Sequence, residues 1–236
     1  MTQTKEMLGI LGGMGPEATA VLYKKIIDNT EVTCDQDHIN ILIYSHAEIP
    51  DRTKYILEGK GDYLLEVLGR DIEMLKNAGC KYLAVPCNTS HYFAKEFEEK
   101  MNGGFINMIE ETAKQVKEKG LKKVGIMATD GTVRSDLYKN ELNKLGIEAV
   151  YPSEEIQKMV MSLIYDQIKR GEKGNKHQFS KVVSSLKKAG CEAVILACTE
   201  LSVFAINYNL NGDYYIDAMD CLTKACIEKC GGVYLD

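Results

Sequence analysis

Short apolar runs alternate along this chain with longer stretches in which apolar residues recur every three or four positions. Runs at 7–12, 39–45, 81–86 and 104–107 read as strands, and stretches at 16–30, 61–78, 89–101 and 108–119 read as helices. The same order returns with strands at 123–128, 147–151, 192–197 and 214–216, and with helices near 132–145, 153–170, 175–189 and 218–230. Such β-α alternation implies parallel sheets covered by helices, an α/β fold.

The alternation is itself repeated. Ala78-Gly79-Cys80 leads through a hydrophobic run to Cys87-Asn88-Thr89, and Ala189-Gly190-Cys191 leads through another to Cys198-Thr199-Glu200. Gly9-Ile10-Leu11 returns as Gly125-Ile126-Met127, Leu22-Tyr23 as Leu137-Tyr138, and Phe105-Ile106-Asn107 as Tyr215-Ile216-Asp217. An interval above a hundred residues is too long for a solenoid repeat and fits two domain-sized units. We therefore expect two similar, pseudo-symmetric domains, each a parallel-type sheet flanked by helices, with the active site between them. Because Tyr215–Asp217 matches Phe105–Asn107, the last helix is expected to cross back, giving residues 1–112 plus 217–236 as the first domain and 113–216 as the second.

Composition narrows the function classes. With 236 residues, 45% hydrophobic and 27% charged, the chain has the balance of a soluble globular protein. A net charge of −5 with dispersed lysines argues against nucleic acid as a partner. The first apolar run is too short for a signal-peptide core and no run reaches membrane-spanning length, so a cytoplasmic location and no membrane partner are expected. The eight cysteines should then be reduced, and each must be read for its own chemistry.

Two of them stand apart. Ligands of open α/β sheets bind beyond the carboxyl ends of strands, where both Cys87 and Cys198 fall. Each precedes residues suited to cap a helix, Asn88-Thr89 and Thr199, so each sulfur is expected at a helix start whose partial positive charge favours thiolate. A free thiol ionises near roughly 8.5, and a modest depression makes it a working base. Asn88, Thr89, Thr199 and nearby N–H groups are positioned to hold a carboxylate. Cys80 and Cys191 read as ordinary core residues.

Other features carry less. Leu8 to Thr19 reads as strand, glycine turn and helix with Pro16 in its first turn, and its Gly13-x-Gly15-x-x-Ala18 window formally fits a dinucleotide fingerprint. The acidic ribose partner is missing, since the second strand ends at Tyr44-Ser45-His46. His91 reads as a surface or capping histidine rather than as a partner of Cys87. Cys221, Cys226 and Cys230 lack the partners of a metal site, and no CxxC pair is present. No cofactor and no metal are expected.

At Gly12-Gly13-Met14-Gly15-Pro16-Glu17-Ala18-Thr19, Val85-Pro86-Cys87-Asn88-Thr89 and Ala197-Cys198-Thr199-Glu200-Leu201 the sequence resembles the aspartate/glutamate racemase family, over essentially its whole length. The resemblance implies a cofactor-independent (PLP-independent) amino-acid racemase, with two similar α/β domains, one active site between them and a homodimeric assembly. The chemistry of the residues agrees: racemisation needs a base on one face of a carbon and an acid on the other. Cys87 and Cys198 fit those roles, with Cys198 implied to face the L enantiomer and Cys87 the D. Relatives with threonine at the first position act lopsidedly, so Cys87 implies activity in both directions.

By the same matching, Arg52 in Ile49-Pro50-Asp51-Arg52-Thr53 holds the substrate side-chain carboxylate, for which a planar bidentate guanidinium is suited. Thr129 and Thr132 in Ala128-Thr129-Asp130-Gly131-Thr132 bind the α-carboxylate, and Lys169 is a second cationic contact. Met14, Asn88, Thr89 and Thr199 join the pocket, with Glu200 behind the thiol or near the substrate ammonium. Cell-wall glutamate racemases usually carry histidine after the second Cys-Thr, whereas Glu200 stands here, which favours the aspartate branch without separating substrates that differ by one methylene. The competing readings are another two-cysteine isomerase or decarboxylase of the same scaffold, of maleate or arylmalonate type, and a non-catalytic amino-dicarboxylate binding protein.

Overall fold

The structure, a computed structural model, describes residues 5–210 and 212–235. Residues 1–4 and 236, the ends of the expected first domain, lie outside the described residues. In chain order the elements are β1 (Leu8–Gly12), α1 (Pro16–Asp28), β2 (Ile41–Ser45), α2 (Arg52–Leu57), α3 (Gly61–Asn77), β3 (Tyr82–Ala84), α4 (Ala94–Met101), β4 (Phe105–Ile106) and α5 (Met108–Glu118). They continue with β5 (Lys123–Ala128), α6 (Asp130–Arg134), α7 (Leu137–Lys144), β6 (Glu148–Val150), α8 (Glu154–Ser162), α9 (Lys176–Lys188), β7 (Ala193–Ala197), α10 (Thr199–Asn207), β8 (Tyr215–Asp217) and α11 (Ala218–Lys229). The chain divides into two compact units, Met1–Met108 with Met219–Asp236, and Ile109–Ala218.

Each unit holds one four-stranded parallel sheet, in the order β2-β1-β3-β4 in the first and β6-β5-β7-β8 in the second. The repeated segments thus occupy equivalent strands, Gly9-Ile10-Leu11 in β1 and Gly125-Ile126-Met127 in β5. Central strands buried on both faces read as continuous apolar runs, as β1 and β7 do at every residue. In both orders the winding reverses beside the first strand, so the loops after β1 and β3, and those after β5 and β7, flank a switch point, where α/β sheets bind ligands.

The first unit's core packs Leu64, Leu68, Ile72 and Leu75 of α3 onto Leu11, Leu83 and Val85. Phe97 meets Phe105 edge-on at 5.4 Å and Phe93 at 6.2 Å, anchoring the segment that follows Cys87. In the second unit Phe179 of α9 stacks on Phe204 of α10 at 4.5 Å. Among the described residues no helix is long and apolar enough to cross a membrane.

Several expected helices differ in detail. The stretch 89–101 begins as a 3-10 helix, Asn88–Phe93, before α4. The stretch 132–145 breaks at Asp136, which turns left-handed (φ 49°). The stretch 153–170 passes from α8 through a π-helical turn, Leu163–Gln167, into a 3-10 turn, Ile168–Arg170, closed by left-handed Gly171. Two helices, α2 and α10, add to the expected set. Helix α2 is short and buries only Thr53, and α10 is buried from Thr199 through Phe204, so neither writes an amphipathic period into the sequence.

Candidate active site

In the first unit the site grows from the glycine turn after β1. A Cβ on Gly13 (φ 90°) would lie 2.3 Å from the His46 carbonyl carbon, so only glycine lets the turn pass beneath that backbone. The Gly13 N–H donates to Thr19 Oγ1 at 2.9 Å, tying the turn to α1. Met14 is buried and accepts from Ser90 Oγ through its sulfur at 3.4 Å. Arg52 opens α2 and is drawn inward: Nη1 donates to the carbonyls of Ile49 (3.1 Å) and Pro50 (3.0 Å), and Nη2 to that of Met14 (3.3 Å). Its guanidinium clasps the glycine turn to the Ile49-Pro50 segment. His46, at the end of β2, meets Asp71 of α3 at 2.7 Å.

Cys87 is 6% exposed and is itself the cap residue of the Asn88–Phe93 turn, correcting the expectation that Asn88-Thr89 caps the helix; Asn88 and Thr89 are its first two residues and are buried. Ser90 N–H and the His91 ring converge on the Cys87 carbonyl, at 3.1 and 3.0 Å. His91 is therefore neither surface nor capping. It is buried against Phe105, and its Nε2 accepts from the Met108 N–H at 3.0 Å. That bond requires a lone pair on Nε2, so the ring proton sits on Nδ1 and is donated to Cys87. Burial pulls the imidazole down to about 4, keeping the ring neutral. A histidine four residues after a cysteine was the available signal; its aim at the carbonyl rather than the thiol became visible only in the fold.

The second unit builds its half from the loops after β5 and β7. Ala128 and Ala197 are paired in register, so Thr129 and Cys198 leave the sheet side by side. Thr129 caps α6, accepting from the Thr132 N–H, and the two hydroxyls lie 3.3 Å apart. Gln157 of α8 steadies this loop by donating to the Ala128 carbonyl and to Asp130 Oδ1, both at 2.9 Å.

Cys198, also 6% exposed, caps α10, and Thr199 is the first helical residue rather than the cap. Its thiol donates to Glu200 Oε2 at 2.9 Å, while Lys169 Nζ donates to Glu200 Oε1 at 2.6 Å. Thr199 Oγ1 reaches the same carboxylate at 3.4 Å. Burial first, then the Glu200 charge, push the Cys198 thiol well above its ordinary range, and Lys169 opposes them. The helix start was expected to favour thiolate here; desolvation and the adjacent carboxylate outweigh it. Lys169 reaches Glu200 because the π and 3-10 turns after α8 redirect the chain toward α10.

The expected residues thus gather in two sets. Met14, Arg52, Cys87, Asn88 and Thr89 lie around the switch point of the first unit. Thr129, Thr132, Lys169, Cys198, Thr199 and Glu200 lie around that of the second. Cys80 and Cys191 pack in the cores, and burial pushes both thiols up. No group of three or more metal-ligating side chains is present among the described residues.

Parallel sheets of equal strand order, each carrying a buried cysteine after the strand beside its switch point, define the architectural class as two-domain α/β. The chain belongs to the Asp/Glu/Hydantoin racemase family, whose profile matches residues 11–226, and as an amino-acid racemase of that family it is an enzyme. It is 25% identical to the broad specificity amino-acid racemase RacX of Bacillus subtilis (strain 168), over 94% of this chain and 97% of that one. Its fold is similar to that of the aspartate racemase of Picrophilus torridus (30% identity, TM-score 0.79, covering 97% and 96% of the two chains). An aspartate racemase homologue from Pyrococcus horikoshii OT3 has the same fold (24% identity, TM-score 0.76, covering 97% and 99%).

Proposed function

We propose that the protein interconverts L- and D-aspartate, with glutamate as the second candidate substrate, by cofactor-independent proton transfer at Cα. The observation that carries this reading is the equivalence of Cys87 and Cys198: each lies in the connection that follows the strand beside the switch point, each caps the following helix, and each is equally buried. One sulfur removes the α-proton as thiolate, the other delivers a proton to the opposite face as thiol, and the roles exchange in reverse. Arg52 binds the side-chain carboxylate, Thr129 and Thr132 the α-carboxylate, and Lys169 supplies further positive charge, with Met14, Asn88, Thr89 and Thr199 lining the pocket. The likeness to the Picrophilus torridus aspartate racemase supports aspartate; the broad-specificity Bacillus relative keeps other amino acids in the assay panel.

The test is incubation with each enantiomer of aspartate and glutamate in D₂O without added cofactor, following deuterium at Cα by NMR and enantiomer by chiral chromatography. Racemisation with Cα exchange is expected in the parent, and Cys87→Ala and Cys198→Ala should each lower racemisation by about 10²-fold or more. Retained racemisation in either variant would overturn the two-base reading. Binding of aspartate with no exchange would identify a ligand-binding protein instead.

A further inference from the structure

The two thiols share a position but not an environment. Near Cys87 the first turn offers Asn88, Thr89 and Ser90, and His91 turns to the backbone carbonyl. Near Cys198 stands a buried carboxylate, Glu200, accepting from the thiol on one oxygen and from Lys169 on the other. Two further carboxylates of this unit are engaged elsewhere: Asp217 of β8 accepts from Ser202 at 2.6 Å, and Asp130 from Gln157 at 2.9 Å. The charges acting on Cys198 within its unit are thus Glu200, from its own helix, and Lys169, from the 3-10 turn packed against it.

We infer that Glu200, braced by Lys169, is a positioning residue that keeps the proton on Cys198 in the resting protein and so fixes which of the two thiols starts as the acid. The inference deepens the two-base reading and rests on it for its catalytic meaning, although the thiol's proton affinity is a property of the protein without substrate. Formation of a thiolate at Cys198 places a second negative charge beside Glu200, in a site with little water to screen it. Lys169 limits that cost and holds the carboxylate where the thiol can donate to it. Removing the carboxylate and removing the ammonium should therefore move Cys198 in opposite directions. Two-thiol proton transfer needs one sulfur protonated, so loss of the Cys198 proton should appear as the alkaline fall in kcat/KM.

The experiment compares the parent with Glu200→Gln and Lys169→Met. Iodoacetamide labelling of Cys198 is followed from pH 6 to 11 by fragment-ion mass spectrometry, beside the pH profile of kcat/KM. Glutamine keeps the shape of Glu200 and an oxygen for the thiol, so a purely structural role leaves the labelling midpoint in place. We expect Glu200→Gln to lower the midpoint and the alkaline limb together by about one pH unit or more, and Lys169→Met to raise them. A midpoint unchanged within about half a unit in Glu200→Gln would overturn the inference. Labelling needs no turnover: shifted midpoints in a protein inactive on aspartate would sink the substrate assignment and leave the Glu200 role standing.

Discussion

At the scale of single residues, His91 shows how a side chain outside the reacting atoms can set a site. Its ring bridges the carbonyl of Cys87 and the amide of Met108, holding the backbone that presents the sulfur. The imidazole ionises near 6.5 when unfolded and at about 4 when folded, so between those values the unfolded chain binds the extra proton. Its contribution is present above pH 6.5 and is lost as pH falls through 4, reaching about 3 kcal/mol. Urea unfolding at steps from pH 7 to 4 should show this loss, reduced in His91→Gln. Arg52 clasps three backbone carbonyls and, in the proposed reading, also holds the substrate side-chain carboxylate. Arg52→Lys gives up the planar fork that spans the Ile49, Pro50 and Met14 carbonyls, and should raise KM for the dicarboxylate about tenfold in steady-state assays.

At the scale of elements, the connections between strand and helix are where the site is made. Gly13→Ala drives a methyl into the His46 backbone at a left-handed position, and a loss of about 3 kcal/mol is expected in chemical denaturation. Thr129→Ala removes the cap of α6 and should cost about 1 kcal/mol by the same measurement. The strands were readable from apolar runs because parallel sheets bury both faces, and long helices such as α3 and α9 from their periodicity. Helix α10 was not, because a helix buried nearly all round leaves no polar stripe to count. Likewise, the identity of Cys198 and Glu200 was plain in the sequence, but the thiol's resting state was not: it depends on burial, on the Glu200 charge and on Lys169, which lies 31 residues from Glu200 along the chain.

At the scale of the whole molecule, the repeated segments announced two similar parallel sheets, and the fold adds that both have the same strand order, a duplication that leaves a duplicated hydrophobic rhythm. The homodimer implied by family resemblance is expected to give twice the chain mass in light scattering, and a monomeric mass would remove it. The chain leaves the first unit after Met108 and returns to it at Met219. During synthesis, then, the second unit emerges complete while the first still lacks α11, whose Leu222, Cys226 and Ile227 are fully buried. The half that is translated first is the half that finishes folding last, so a stalled nascent chain cut at residue 218 and carried clear of the ribosome by a flexible linker should show a protease-resistant second unit beside an unfinished first one.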